Sequence, residues 1–103
     1  MEFKGTKGKW KVKHSESKTA WNVVCTQLGR RFKIARCPYL KDISEERSKN
    51  DKNEQLANAQ LISKAPEMLE MLIDLRNCKE TWSDLFQSDK DRIEKLIKEA
   101  TEL

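Results

Sequence analysis

Between Lys9 and Cys37 apolar and polar residues alternate. Trp10, Val12 and His14 interleave with Lys9, Lys11 and Lys13, and a period of two sends the sets to opposite faces of a strand. A second run sets Trp21, Val23 and Cys25 against Ala20, Asn22, Val24 and Thr26; Trp, Val and Thr suit a pleated, half-buried surface. A third sets Phe32 and Ile34 against Arg31, Lys33 and Ala35, and Pro38 ends it because proline has no N–H to give a ladder. Ser15 to Lys18 and Leu28-Gly29-Arg30 supply the turns, Gly29 being free to take positive φ. Residues 8–37 are therefore predicted to form a three-stranded antiparallel meander.

The pattern then changes. Residues 39–53 are charged and aperiodic and read as a mobile connection. From Glu54 to Lys64 the apolar residues Leu56, Ala59, Leu61 and Ile62 recur at helical spacing. Pro66 breaks that run and suits the first turn of a new helix, with Glu67 well placed near its N-terminus. Met68, Leu69, Leu72, Ile73 and Leu75 give this second helix a broad apolar stripe, extending towards Trp82. Ser88 is the expected N-cap of a third helix, with Asp89 and Asp91 in its first turn and Ile93, Leu96, Ile97 and Ala100 on its buried side. The expected architecture is α+β: a meander packed on one face by two or three helices, in a single domain over residues 1–103. Trp10, Val12, Trp21, Val23, Phe32 and Ile34 form the sheet face that meets the helices.

Composition tightens this picture. With 103 residues, a folded chain buries only about 60–65% of the surface it exposes when unfolded, so the core is small. Apolar and charged residues each make up 37%, but the apolar ones are periodic, which argues against global disorder. A polar chain with so little core is a candidate for self-association. Cys25, Cys37 and Cys78 form an odd set without CxxC spacing, and no apolar leader precedes them, so reduced thiols are expected. No apolar run approaches the roughly 20 residues that span a bilayer. The net charge of +4 conceals an asymmetry: residues 1–40 carry ten Lys or Arg against two acids, and residues 41–103 carry eleven against fifteen. Positive potential is concentrated on the strands.

Two segments resemble a widespread group of small phage and prophage proteins. Thr6-Lys7-Gly8-Lys9-Trp10 resembles the group's N-terminal T-P-G-P-W, with lysine at both proline positions. Residues 57–69, from Ala57-Asn58-Ala59 to Pro66-Glu67-Met68-Leu69, are similar to its A-N-A-x-L-I-A-A-A-P-E-L-L signature. Small Ala57 and Ala59 imply close packing, Pro66 implies a bend, and Ser63-Lys64 implies a solvent-facing edge. The resemblance implies a phage accessory protein of the sheet-plus-helices type, and it brings no activity and no functional residue.

Catalytic chemistry is hard to assemble from these residues. His14 is the single histidine, and its alternation with Trp10 and Val12 fits a half-buried structural role; a Cys–His pair would have to use Cys25 or Cys37 on a neighbouring strand. Three cysteines and one histidine lack the short-range spacing of a zinc site, and Gly5, Gly8 and Gly29 make no phosphate-binding loop. No catalytic residue, metal ligand or cofactor is expected, and the protein reads as non-enzymatic.

The candidate binding surface is the outer strand face. Lys9, Lys11, Lys13, Asn22, Arg31 and Lys33 share it, and Arg36 and an exposed Tyr39 are placed at the mouth of the following loop. Clustered cations bind phosphates; the competing account is that exposed lysines serve solubility and discourage edge pairing. Three functions use this surface or its surroundings. The favoured one is a host-directed, anti-defence protein of the bacterial cytoplasm that sequesters an anionic small molecule of the cyclic-nucleotide class, as a homo-oligomer whose interfaces create concave sites. The second is a nucleic-acid-binding accessory protein without a helix-turn-helix or zinc finger. The third is a protein-interaction module that inhibits a host enzyme. No membrane partner is expected.

Overall fold

The three alternating runs become the three strands they predict. The computed structural model describes residues 2–27, 30–40 and 44–102, without the side chains of Gln27, Arg30 and Arg31. In it β1 (Trp10–His14), β2 (Ala20–Gln27) and β3 (Arg30–Pro38) form an antiparallel sheet in the order β1-β2-β3. Half-buried and exposed residues alternate along β1 as the sequence requires. The turn between β1 and β2 closes with Lys18 at φ 56°, a left-handed backbone that a non-glycine residue seldom adopts. Gln27 pairs with Arg30; the turn expected at Leu28-Gly29 lies outside the described residues.

Register decides which residues share a face. Trp10, Val12 and His14 oppose Cys25, Val23 and Trp21, and on the other side of β2 Trp21 and Val23 oppose Cys37 and Ala35. Strict alternation assigned Ala35 to the outer face, and this is corrected by a bulge. Val23 pairs with Ala35 but Val24 pairs with Lys33, so Ile34 is an extra residue in β3. A bulge of this kind shifts every later residue of its strand to the opposite face. Ile34 and Ala35 consequently both pack on the core, together with Trp10, Val12, Trp21 and Ile62, around buried Val23, Cys37 and Ala59. Phe32, assigned to this core from the pattern, is instead 42% exposed.

The core face is covered by α1 (Glu45–Ser63), which packs against all three strands. Its first half lies where a loop was expected. The Ser44 side chain caps the helix by accepting the Arg47 N–H, and Glu45 and Glu46 follow in the first turn, where carboxylates complement the helix dipole. Buried positions of α1 are Ala59 and Ser63, while Ala57 and Leu61 are exposed. The expected close packing therefore belongs to Ala59 alone, and Ser63 turns inward rather than to solvent, its hydroxyl donating to the Gln60 carbonyl at 2.7 Å.

Backbone contacts divide the chain into two units, Thr6–Ala65 and Met1–Gly5 with Pro66–Leu103. The first is the sheet with α1. The second contains α2 (Ala65–Asn77) from Pro66 onward, α3 (Lys79–Ser83) and α4 (Gln87–Thr101). Pro66 occupies the first turn of α2, as expected. The second helix stops at Asn77, so Trp82 belongs to the separate helix α3. Phe86, not Ser88, is the N-cap of α4: its carbonyl accepts the N–H groups of Asp89 and Lys90. Ile97 and Thr101 are buried on α4, whereas Leu96 and Ala100 are exposed. The fold class is α+β, a three-stranded antiparallel meander followed by helices with α1 packed on the sheet.

Candidate functional site

The outer sheet face is organised by the same register. Lys11 and Lys33 flank Val24, and Lys13 and Arg36 flank Asn22. Strands lie about 4.8 Å apart and rise about 3.3 Å per residue, so the two rows are about 7 Å apart and each spans about 10 Å between outer strands. All four cations are exposed, while Val24 beneath them is buried. A depression of about 490 Å³ opens here, bounded by Lys13, Asn22, Lys33, Arg36 and the turn that follows β1. That volume lies in the range of small-ligand sites.

The turn adds hydroxyl groups that sequence reading missed. Ser15 Oγ accepts the backbone N–H groups of Thr19 and Ala20 at 3.0 and 3.1 Å. The Ser17 and Thr19 hydroxyls lie 2.6 Å apart, and Arg36 Nη2 donates to Thr19 Oγ1 at 3.3 Å. Arg36 is thereby held against the turn, and its remaining N–H donors are available for an anion. The Ser-x-Ser-x-Thr spacing was the available signal, and it reads in isolation as an ordinary polar turn. Glu16 also borders the depression and is its single carboxylate.

Asn22 is the anomalous member. Its Oδ1 is buried and has no hydrogen-bond partner. An unpartnered buried acceptor costs about 1–3 kcal/mol, which native structures usually avoid.

Not all the candidate residues meet. Lys13, Asn22, Lys33 and Arg36 line the depression; Lys11 stands beside them in register, and Lys9, also exposed, precedes β1. Arg31 pairs with Thr26 in the β2–β3 register, but its side chain lies outside the described residues. Tyr39 departs from expectation. It is only 9% exposed, and it belongs to an aromatic cluster with core-face residues His14 and Trp21. Its hydroxyl donates to the Lys18 carbonyl at 2.8 Å and accepts from His14 Nε2 at 2.5 Å. A tyrosine so engaged is not available to stack on a ligand.

The same cluster separates His14 from the two candidate thiols, Cys25 and Cys37. His14 stacks on Trp21 with ring centroids 4.2 Å apart, and Trp21 stands between His14 and Cys37 in register. Trp21 in turn donates its indole N–H to the Lys52 carbonyl of α1 at 3.1 Å, with Lys52 Nζ 5.8 Å from the Trp21 and Tyr39 ring centroids. Cys25 is at the far end of this face, four residues along β2 from Trp21, or about 13 Å. Among the described residues, no group of three or more His, Cys, Asp or Glu side chains is placed to hold a metal ion, and no helix is long and apolar enough to cross a membrane. The helical unit has its own concavity of about 470 Å³, whose lining mixes Lys4, Arg76, Lys95 and Lys98 with Glu2, Glu94 and Glu102 and so selects neither sign of charge.

No curated protein and no solved structure matches the chain. A family model described as Salmonella phage P22 protein Y8K6 matches residues 1–102. With that match running over almost its whole length, this α+β chain belongs to the Salmonella phage P22 protein Y8K6 family and is a small phage protein.

Proposed function

We propose that the protein is a non-enzymatic phage accessory factor that binds an anionic nucleotide-type signal of the host on the outer face of its sheet. The observation that carries this reading is the bulge at Ile34, which brings Arg36 onto the face already occupied by Lys11, Lys13 and Lys33. Four cations whose backbone positions mark a rectangle about 7 by 10 Å offer enough positive charge for a ligand with two or more phosphates. A cyclic dinucleotide has that form. Sequestration in the host cytoplasm would blunt a defence pathway that uses such a signal, and a homo-oligomer would close the open side of each depression.

Protein purified from its host is to be examined by native mass spectrometry, which reports oligomer mass and any retained ligand together. Titration of the purified protein with cyclic di-AMP at two salt concentrations gives the affinity and its electrostatic share. Stoichiometric binding that weakens with salt is expected. Affinity that grows with the length of a DNA or RNA oligonucleotide, and no cyclic dinucleotide binding, would replace this reading with nucleic-acid binding.

A further inference from the structure

We infer that Asn22 is the specificity-determining residue of the basic face, selecting ligands that present a hydrogen-bond donor beside their phosphates. The inference rests on the anion-binding reading above and adds the chemistry of the ligand's uncharged part. Lys11, Lys13, Lys33 and Arg36 carry donors alone and distinguish no phosphate compound from another except by charge and spacing. Asn22 Oδ1 is a different kind of group: a neutral acceptor on the central strand β2, buried and unpartnered. The two donors beside it in register, Lys13 and Arg36, both extend to solvent.

The strand itself does not require an asparagine here. Asn disfavours strands, and a β-branched apolar residue on the pleat is the ordinary occupant. Val24, two positions along the same face, is such a residue. A polar group left unsatisfied where an apolar one fits is the pattern of a site kept for binding at the expense of stability. Asn22 lines the same depression as Lys13 and Arg36, so rotation of its side chain turns the amide oxygen toward a ligand seated there without moving the backbone. An amino group on a nucleobase edge then supplies the missing donor, whereas a bare polyphosphate has none.

The test compares cyclic di-AMP, which carries adenine amino groups, with inorganic tripolyphosphate, using full-length wild type and Asn22→Val. Cyclic di-AMP affinity is expected to fall about ten-fold in the variant, the equivalent of about 1.4 kcal/mol, with tripolyphosphate affinity unchanged. The variant is also expected to melt about 4 °C higher, since an orphan acceptor has been removed. Equal effects on the two probes, or no effect on either, overturn the role of Asn22 and leave the anion site standing. The affinity ratio decides the role of Asn22 whichever way the melting temperature moves. If wild type binds neither probe at low salt, the anion-site reading fails and the inference fails with it. Should Asn22→Val not fold, Asn22→Ser is read by the same affinity ratio and the same outcomes.

Discussion

Arg36 stands directly across from Asn22 in the β2–β3 register, although alternation counted from Lys33 sends it to the core. One extra residue, Ile34, makes the difference: it adds an apolar side chain to the core and moves the next cation to the outer face. Core packing and site geometry thus share a single irregularity. Bulges recur beside functional sites for this reason, since they re-aim side chains that the pleat alone would misplace.

Charge reversal tests this arrangement. Lys13→Glu and Arg36→Glu each remove one corner of the basic rectangle, and a bond from a cation to phosphate contributes about 1.5–3 kcal/mol. Each variant is expected to bind cyclic di-AMP at least about ten-fold more weakly at low salt, with stability within about 0.5 kcal/mol of wild type. The measurements are isothermal titration and thermal melting. Wild-type affinity in both variants would make this an ordinary solvated face.

Gly8 has a purely structural task. Its φ is 107°, a conformation that side chains rarely adopt, and an added Cβ would lie 3.0 Å from Cys25 Sγ. Nearby, the Trp10 indole donates to the Thr6 carbonyl at 3.1 Å and Cys25 Sγ donates to the Lys7 carbonyl at 3.3 Å, so the approach to β1 is tied at both ends. Gly8→Ala is expected to lose about 1–3 kcal/mol in urea unfolding, through strain and contact together. A variant as stable as wild type would show that this segment rearranges freely.

The strands were legible because Trp10, Val12, Trp21 and Val23 keep period two on the core face while Lys11 and Lys13 alternate with them in β1. The first half of α1 was not, and its contacts explain why. Its inward stripe includes Ser48, Asp51 and Lys52 rather than apolar residues. Ser48 Oγ donates to the Leu40 carbonyl at 2.8 Å, Asp51 Oδ2 accepts the Leu40 N–H at 2.7 Å, and the Lys52 carbonyl receives the Trp21 indole. A helix docked by hydrogen bonds to a strand end leaves no hydrophobic period to read. Tyr39 was misplaced for a related reason, since its burial depends on His14 and Lys18, both distant in sequence. At the site, the lysines of β1 and β3 could be read from alternation. Arg36 was named from its nearness to the loop, and its true face follows from a bulge that no residue announces.

Ala59 is the most deeply buried residue of α1. It is fully buried in one cluster with Val23 of β2 and Cys37 of β3. A leucine here has to be packed into that cluster, and overpacking of this kind costs about 1–3 kcal/mol. Ala59→Leu is therefore expected to lower the denaturation midpoint, whereas Ala57→Leu, on the exposed side of the same helix, is expected to leave it nearly unchanged. Equal effects from the two substitutions would mean that the helix face has been assigned wrongly.

The three thiols differ in environment and should differ in reactivity. Cys25 and Cys37 are buried within the sheet unit and Cys78 is exposed at the start of α3, all three as free thiols. The Thr81 hydroxyl lies 3.4 Å from Cys78 Sγ, and hydrogen bonds from the Thr81 side chain and backbone hold the Cys78 pKa below its usual value. A lowered pKa means more thiolate at a given pH, and the thiolate is the species that reacts. In native protein at pH 7.5, iodoacetamide is expected to alkylate Cys78 first, with Cys25 and Cys37 reacting only after denaturation. Thr81→Val removes the hydroxyl but keeps the backbone contact, so it should raise the pKa and slow alkylation of Cys78 at pH 7.5. Above about pH 10 both proteins carry mostly thiolate, given an ordinary thiol pKa near 8.5, and their rates should converge. Mass spectrometry of the alkylated peptides follows each cysteine separately. Labelling of Cys25 or Cys37 as fast as Cys78 would contradict their burial, and an unchanged rate in Thr81→Val would assign the reactivity of Cys78 to exposure alone.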